Sequence, residues 1–371
     1  MRIAFVGTGY VADYYHRTLQ SYPQLQLVGA WDNRPEALSH FCSAHSLRPF
    51  SSYAELLDSD VEIVVNLTNP ESHAAVTTQA LLAGKHVYSE KPLGVEMDEA
   101  RAVAALAQEK GLYLSGAPCS LLGESAQTLW RELRRGRIGQ VYCAYAEMDD
   151  GLVHTMPYKG WLSETGIPWP WKNEFETGCT LEHAGYYLAW FPAFFGPAVH
   201  VTAMSTTLIH DKQTEQPLAP AADLSVAMVT FASGVVVRLT CSIVAEHDHQ
   251  LRIFGEGGTL SIADSWFYGS PVKVQKTLNV RRRQVKTPHL PVKLAAKARK
   301  HKYRGSQQMD FARGIAELAD AITERRRCRI DSDYMLHVNE LVLAIHHAGS
   351  TGASLAITST FEPVEPMDWA R

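Results

Sequence analysis

The strongest constraint on the fold lies in the first twelve residues. A short apolar run, Arg2–Val6, leads directly into Gly7-Thr8-Gly9-Tyr10-Val11-Ala12. This is the G-x-G-x-x-A form of the dinucleotide-binding fingerprint, in which a strand, a tight turn and a helix follow one another. The pattern predicts a tight turn at Gly7, a backbone without a Cβ facing a pyrophosphate at Gly9, and a helix N-terminus that binds the phosphates.

The next strand-like run supports this interpretation, because it ends in an acidic residue. Residues 25–32 are mostly apolar and finish at Asp32, where such units carry the carboxylate that binds the ribose hydroxyls. A carboxylate there repels a 2′-phosphate, so NAD is the expected cofactor. Arg34 leaves NADP as the alternative, since a guanidinium stacks on adenine or pairs with a 2′-phosphate.

The first third of the chain alternates strand and helix patterns. Such alternation predicts parallel strands joined by crossover helices, and therefore a doubly wound Rossmann sheet in a domain covering residues 1–119. The predicted strands are 2–6, 25–32, 62–68, 86–90 and 112–116. The predicted helices are 11–21, 34–45, 72–83 and 96–110.

The pattern changes after residue 119. Consecutive β runs separated by turn residues predict a second, α+β domain over 120–371 with a large, open and mostly antiparallel sheet. One face of such a sheet needs a cover, and a second subunit supplies it in a homodimer or homotetramer. The expected strands are 198–208, 223–232, 235–244, 249–255 and 258–262, and the expected helices are 124–135, 180–191, 307–323 and 333–347.

Bulk properties narrow the functional classes. The net charge of −4 argues against general nucleic-acid binding, no apolar run is long enough to cross a bilayer, and no secretory signal precedes the first strand. We therefore expect a cytoplasmic protein that binds a small molecule, without nucleic-acid or membrane partners. The six cysteines lack C-x-x-C spacing, so neither disulfides nor a metal site is expected.

One segment departs from the average composition. Residues 273–304 contain twelve Lys or Arg and no Asp or Glu. The run predicts a solvated, mobile loop, and its alternative role is a clamp for an anionic group of the substrate.

A second motif gives the chain a family resemblance. Tyr88-Ser89-Glu90-Lys91-Pro92-Leu93-Gly94 follows a predicted strand at the sheet edge where ligands bind. Together with Asn69-Pro70-Glu71-Ser72-His73, Arg137–Val141, Asp310–Arg313 and Gly352–Leu355, it resembles the Gfo/Idh/MocA oxidoreductases. The resemblance implies a Rossmann domain followed by an α/β domain for substrate binding and oligomerisation, and it covers nearly the whole chain.

The resemblance also implies a catalytic pair in the second domain. The family motif Gly-x-x-x-Asp-x-x-x-His, with Tyr for His in some branches, is matched to Gly178 through Tyr186. Glu182 then stands at the Asp and Tyr186 at the His or Tyr, four residues apart and therefore on one helix face. Glu182 departs from the Asp of the family motif. Its side chain is one methylene longer, so its reach and its partner are left open. His183 beside it is the reserve proton-transfer group.

These motifs define the candidate site residues. Lys91 is expected to bind the substrate oxygen and to ease ionisation of a nearby phenol, with Tyr186, His183 and Glu182 in proton transfer. The expected cofactor-binding residues are Gly7, Thr8, Gly9, Tyr10, Val11, Ala12, Asp32, Asn33, Arg34, Thr68, Asn69, Pro70, His73, Glu90 and Lys91. The expected substrate-binding residues are Lys91, Cys119, Trp161, Trp171, Glu182, His183 and Tyr186, where the tryptophans offer flat faces for a sugar ring.

Three functions fit this sequence. The leading hypothesis is an NAD(P)-dependent oxidoreductase acting on a secondary hydroxyl of a sugar, cyclitol or sugar derivative. The alternatives within the same fold are a glycoside hydrolase that retains NAD and works by oxidation and elimination, and a non-catalytic regulator that senses dinucleotides.

Overall fold

The computed structural model describes residues 1–215, 217–297 and 309–371, and these divide into two compact units. Along the chain, the first boundary between the two units lies between Cys119 and Ser120. Two later segments that the sequence assigned to residues 120–371 pack with the first unit. Unit 1 therefore comprises Met1–Cys119, Pro157–Pro170 and Asp310–Asn339, and unit 2 comprises Ser120–Met156, Trp171–Met309 and Glu340–Arg371.

Unit 1 contains a five-stranded parallel sheet, as predicted. Its strands are β1 (Arg2–Val6), β2 (Gln26–Trp31), β3 (Ile63–Asn66), β4 (His86–Ser89) and β5 (Leu114–Gly116), in the order β2-β1-β3-β4-β5. The helices between them are α1 (Tyr10–Leu19), α2 (Pro35–His45), α3 (Tyr53–Asp58), α4 (His73–Leu82) and α5 (Met97–Lys110). The short helix α3 was not predicted.

The register of this sheet places four loops side by side. Val6, the last residue of β1, lies opposite Trp31 in β2 and Asn66 in β3, and Asn66 lies opposite Ser89 in β4. The carboxyl ends of these strands are therefore level. Since ligands of open α/β sheets bind beyond the carboxyl ends, every loop that carries a predicted cofactor residue starts at the same edge.

Unit 2 contains a larger sheet. In the described part of the chain ten strands form it, and most neighbours are antiparallel. The path runs β13-β12-β11-β10-β6-β9-β8-β7-β15, and β14 pairs with β12. The strands are β6 (Val141–Asp149), β7 (Ala198–Thr206), β8 (Leu224–Phe231), β9 (Val236–Ser242), β10 (Leu251–Gly255), β11 (Gly258–Ile262), β12 (Lys273–Val280), β13 (Arg283–Lys286), β14 (Leu290–Pro291) and β15 (Ser354–Ala356).

The central strand β6 was missed by the sequence analysis. It pairs antiparallel with β10 on one side and parallel with β9 on the other, from Cys143 opposite Val236 to Asp149 opposite Ser242. Among the described strands of this sheet this is the one parallel pair, and the sheet is mostly antiparallel, as predicted.

The basic segment also differs from expectation. Its described part, residues 273–297, forms β12, β13 and β14 rather than a loop, while 298–304 lies outside the described residues. The β12–β13 hairpin leaves Leu278, Val280 and Val285 about half exposed. In β12 the apolar Val274, Leu278 and Val280 share one side of the strand, and the polar Gln275, Thr277 and Asn279 lie on the other, which is a strand pattern.

Helices cover part of each unit. Unit 2 contains α6 (Glu124–Arg134), α7 (Trp171–Thr177), α8 (Cys179–Leu188) and α9 (Phe191–Phe195). The last two helices are α10 (Arg313–Glu324), which belongs to unit 1, and α11 (Ser332–Thr351), within which the unit division falls after Asn339. None of the helices in the described ranges combines the length and the apolar character needed to cross a membrane.

Helix α10 packs closely against the parallel sheet through a glycine. A Cβ at Gly314 would lie 2.4 Å from the ring and hydroxyl of Tyr88, a fully buried residue of β4. Protein interiors are packed too tightly to absorb such an overlap, so Gly314 sets how near α10 approaches β4.

We expect Gly314→Ala to lower the free energy of unfolding by about 1–3 kcal/mol, because the added methyl group forces Tyr88 to shift in a close-packed core. Thermal denaturation followed by circular dichroism measures this. Gly160→Ala is the matched control, since a Cβ there meets no described atom within 4 Å. Equal melting temperatures for the two variants would contradict the proposed packing role.

Candidate active site

Gly7 and Gly9, the two glycines of the first turn, are glycine for different structural reasons. Gly7 has φ +97°, and a Cβ there would lie 2.6 Å from the carbonyl oxygen of Leu67. Gly9 has an ordinary extended φ of −76° at the N-terminus of α1, and a Cβ there meets no described atom within 4 Å. Gly7 is thus required by the fold, whereas Gly9 faces open space at a helix N-terminus, which fits a pyrophosphate.

Asp32 is held beside this turn. The Asp32 carboxylate is buried and accepts hydrogen bonds from the Thr8 backbone N–H (2.8 Å), the Thr8 hydroxyl (3.0 Å) and the Arg34 backbone N–H (2.8 Å). Arg34 Nε lies 3.2 Å from the same carboxylate, with 64 % of its side chain exposed. Burial alone raises the pKa of Asp32, but the bonds from Arg34 and Thr8 outweigh it and lower the pKa, so the group is ionised.

The loop after β3 is fixed by buried polar groups. Asn66 accepts hydrogen bonds from the Thr68 backbone N–H and hydroxyl, and its Nδ2 donates to the His73 carbonyl. The His73 ring is buried, with Nε2 at 2.9 Å from the Thr68 carbonyl oxygen and Nδ1 at 2.7 Å from the Pro92 carbonyl oxygen. Burial lowers the pKa of His73, so a neutral ring donates to only one carbonyl at a time.

His73 therefore ties the loop after β3 to the loop after β4. In this position it orients backbone, and the exposed residues of its loop are Asn69, Glu71 and Ser72, with Pro70 half-buried among them. We had expected His73 to bind the cofactor itself. The contacts instead favour a positioning role.

Lys91 lies in the loop that His73 holds. The Lys91 backbone N–H donates to Glu90 Oε2 (3.0 Å), and Glu90 Oε1 accepts from the Tyr15 hydroxyl (2.6 Å). Tyr15 is fully buried, and burial together with the Glu90 charge raises its pKa, so it remains a donor. The Lys91 backbone is thus fixed on one side by Tyr15 through Glu90, and on the other by His73 through Pro92.

Two of the predicted substrate-binding residues, Cys119 and Trp161, lie in unit 1. Cys119 is buried, and its thiol points toward the Asp310 carbonyl oxygen (3.5 Å), so it packs against backbone. Trp161 is partly exposed and its ring lies 5.0 Å from that of Trp169. The aromatic pair fits the expected platform for a sugar ring better than Cys119 fits a pocket wall.

The segment that carries these tryptophans is anchored by a residue that the sequence analysis missed. Asp13, fully buried in α1, accepts hydrogen bonds from the Ser163 hydroxyl, the Thr165 backbone N–H (2.9 Å) and the Thr165 hydroxyl (2.7 Å). His45 Nε2 lies 2.8 Å from its other oxygen. These bonds explain why Pro157–Pro170 packs with unit 1.

In unit 2, helix α8 carries the predicted proton-transfer residues. Glu182, His183 and Tyr186 are each partly buried. The rings of His183 and Tyr186 lie 6.3 and 5.3 Å from that of Trp266, so one indole brings together two side chains three residues apart. The sequence pairs Tyr186 with Glu182 on one helix face and gives His183 only as the reserve proton-transfer group. Trp171 begins α7 and packs on Phe175.

His183 belongs to a charged cluster that was not predicted. Its Nε2 lies 2.8 Å from Asp150 Oδ2, and His249 Nε2 lies 2.7 Å from Asp150 Oδ1. Burial opposes charge on all three groups, but their mutual attraction outweighs it. The pKa of Asp150 is lowered, that of His183 is raised, and that of His249 is raised to about 9.

Asp150 and His249 were missed because they are 99 positions apart in the sequence, and no local pattern shows that they pair. Asp150 follows β6, which was not predicted, and His249 precedes β10. The His247-Asp248-His249 spacing was the available signal.

Gly9→Val should fold yet lose cofactor binding on the order of a hundredfold, because the branched side chain displaces a phosphate that accepts charge-assisted hydrogen bonds worth about 3 kcal/mol. Fluorescence titration with NADH measures the affinity. Gly7→Val is the contrasting variant, expected to lower the melting temperature through its clash with Leu67. A folded Gly9→Val protein with unchanged NADH affinity would remove the phosphate site from this turn.

Comparison with known proteins agrees with this geometry. The model of the Gfo/Idh/MocA oxidoreductase family with an NAD-binding Rossmann fold matches residues 1–117, and that of the Gfo/Idh/MocA C-terminal domain matches residues 126–261. Trans-1,2-dihydrobenzene-1,2-diol dehydrogenase of Mus musculus is 26 % identical over 273 residues, which cover 72 % of this chain and 75 % of that protein.

Solved structures share the fold over nearly the full length. UDP-N-acetylglucosamine 3-dehydrogenase from Acidithiobacillus ferrooxidans is 21 % identical with a TM-score of 0.72, covering 94 % of this chain and 97 % of that one. Aldose-aldose oxidoreductase from Caulobacter crescentus, complexed with glycerol, is 19 % identical with a TM-score of 0.74, covering 96 % and 99 %. With both domain models matched in order, the chain belongs to the Gfo/Idh/MocA family of NAD(P)-dependent oxidoreductases.

Proposed function

We propose that this protein oxidises a secondary hydroxyl of a sugar, cyclitol or sugar derivative, or reduces the corresponding ketone. The observation that carries the proposal is the position of Lys91. It follows β4 at the carboxyl edge of the parallel sheet, and the glycine turn and Asp32 lie at the same edge. The two structural relatives with sugar-related names support the substrate class.

The chain residues have separable roles in this proposal. Bound nicotinamide supplies the hydride acceptor. Lys91 donates a hydrogen bond to the substrate oxygen and stabilises the negative charge that develops there as the proton leaves. Contacts of Glu90 with Tyr15 and of Pro92 with His73 hold the backbone on both sides of Lys91, which fixes where its side chain begins.

Proton transfer is assigned to Tyr186, with His183 as the alternative. The Tyr186 ring packs edge-on against Trp266, and the residue keeps part of its surface exposed. His183 Nε2 is already bonded to Asp150, which commits that nitrogen to the charged cluster. Glu182, one helical turn before Tyr186, remains a candidate for binding substrate hydroxyls.

The cofactor preference follows from Asp32. The groups around the Asp32 carboxylate include an exposed arginine that a ribose can displace. We propose NAD as the preferred cofactor, because a 2′-phosphate would meet the ionised carboxylate.

The partly exposed faces of Trp161 and Trp171 support binding of a sugar ring.

Assembly into a homodimer or homotetramer is part of this proposal. Met204 in β7 and Met228 in β8 lie on the same face of the large sheet and are 59 % and 45 % exposed. Exposed apolar side chains on a sheet face favour a cover by a second copy.

Lys91→Ala should lower kcat by on the order of a hundredfold or more, because it removes the donor that stabilises the developing charge. NADH affinity should stay within a few-fold of the wild-type value. The assay is a screen of sugars and cyclitols with NAD and NADP, followed by the absorbance of the reduced cofactor. Lys110→Ala, at the exposed end of α5, is the control.

Near-normal turnover of Lys91→Ala would refute the proposed mechanism. Tightly retained NAD with substrate conversion but no net NADH would instead favour the hydrolase alternative.

Asp32→Ala should shift the ratio of NADH to NADPH affinity toward NADPH by about tenfold or more, since a hydrogen bond to a charged group is worth about 1.5–3 kcal/mol. Fluorescence titration with each reduced cofactor measures the ratio without a known substrate. Asp98→Ala removes an exposed carboxylate elsewhere in unit 1 and should leave the ratio unchanged. Tighter binding of NADPH by the wild type would show that Arg34 serves as a phosphate ligand.

A further inference from the structure

Two backbone segments of unit 2 place three metal-binding side chains, one carboxylate and two imidazoles, on one face. Asp149 and Asp248 form an antiparallel bridge, with N–H···O distances of 3.0 and 2.9 Å. In such a pair the next positions, Asp150 and His247, also lie opposite each other. Because side chains alternate along extended chain, His249 projects on the same side as His247.

The ligand atoms of these three residues are close enough to share one ion. One carboxylate oxygen of Asp150 and one ring nitrogen each of His247 and His249 all lie within 4.8 Å of one another. Two metal–ligand bonds of about 2.1 Å span ligand atoms up to about 4.2 Å apart. A pair of ligand atoms at the 4.8 Å limit must therefore approach by about 0.6 Å or more before both can bind one cation.

The surrounding groups form the outer layer that a metal site needs. His183 Nε2 bonds Asp150 Oδ2, which orients the carboxylate and leaves Oδ1 on the side of His249. The His249 side chain is fully buried, and its Nδ1 lies 3.5 Å from Asp264 Oδ1 with no hydrogen-bond partner among the described residues. A carboxylate facing the second ring nitrogen is characteristic of metal-bound histidines.

We propose that Asp150, His247 and His249 bind a divalent transition-metal ion of the Zn²⁺ type. Two imidazoles and one carboxylate are a donor set that suits Zn²⁺ and its neighbours and does not suit Mg²⁺. The ion takes the place of the proton that His249 Nε2 shares with Asp150, and Asp150 and Asp264 then provide two negative charges to balance it. His247 is exposed, so the ion keeps access to solvent and a coordination position for a water or a hydroxyl oxygen.

This inference is independent of the proposed dehydrogenase activity. It also departs from the expectation that the chain lacks a metal site, which rested on cysteine spacing. Cysteine spacing is uninformative about sites made of histidine and carboxylate.

The test is calorimetric titration of the full chain, stripped with EDTA and desalted, with ZnCl₂. We expect one ion per chain with micromolar or tighter affinity, and no saturable heat with MgCl₂. His247→Ala should weaken Zn²⁺ binding at least about tenfold. His210→Ala is the matched control, because His210 is also exposed in unit 2 but lies outside the cluster, and it should bind as the wild type does.

A second measurement identifies the ligands directly. Co²⁺ added to the stripped protein should give visible ligand-field absorption that His247→Ala loses and His210→Ala retains. Absence of stoichiometric Zn²⁺ binding by the wild type would overturn the proposal. Equal Zn²⁺ affinity in the two histidine variants would also overturn it, because the ion would then bind elsewhere.

Discussion

The close approach of Gly7 to the Leu67 carbonyl is the constraint on which the dinucleotide unit depends. The Gly7 backbone N–H donates to the Trp31 carbonyl oxygen at 2.8 Å, while its Cα faces Leu67 without space for a Cβ. One residue thus fixes the end of β1 against both neighbouring strands. Thr8 follows at once and binds Asp32, so the phosphate and ribose regions are set by the same backbone turn.

The loops after β3 and β4 are positioned by a second set of contacts. Asn66, at the end of β3, bonds Thr68 and the His73 carbonyl, and His73 reaches the Pro92 carbonyl. Tyr15, from α1, reaches Glu90. Lys91 therefore lies between two anchored neighbours, and the contacts that place it come from β3, α4 and α1. Buried polar groups that have partners rigidify a site in this way.

The parallel sheet and its loops were predictable because their signals are local. Strands buried on both faces are short apolar runs, and the glycine turn and Glu90-Lys91-Pro92 mark the ends of two of them. Strand β6 lacks such a signal, since it ends in Glu147 and Asp149 and its neighbours β9 and β10 come about a hundred residues later. The attachment of Pro157–Pro170 to unit 1 depends on Asp13 accepting bonds from residues 150 positions away, which no local pattern encodes. The same reason explains why His183 was found and its partners Asp150 and His249 were not.

Three aspartates, two of them buried and the third partly exposed, show how the surroundings of a carboxylate decide its use. Asp13 accepts hydrogen bonds from hydroxyl, amide and imidazole donors that all belong to packed segments. Its carboxylate oxygens are therefore occupied by these donors, and its role is structural. Asp32 shares its oxygens with the exposed Arg34, which ribose hydroxyls can replace without breaking the fold. Asp150 bonds two imidazoles, and an imidazole that loses its proton becomes a metal ligand. The three carboxylates therefore differ in which of their donors a ligand can replace, and this difference separates a structural aspartate from the two proposed ligand-binding ones.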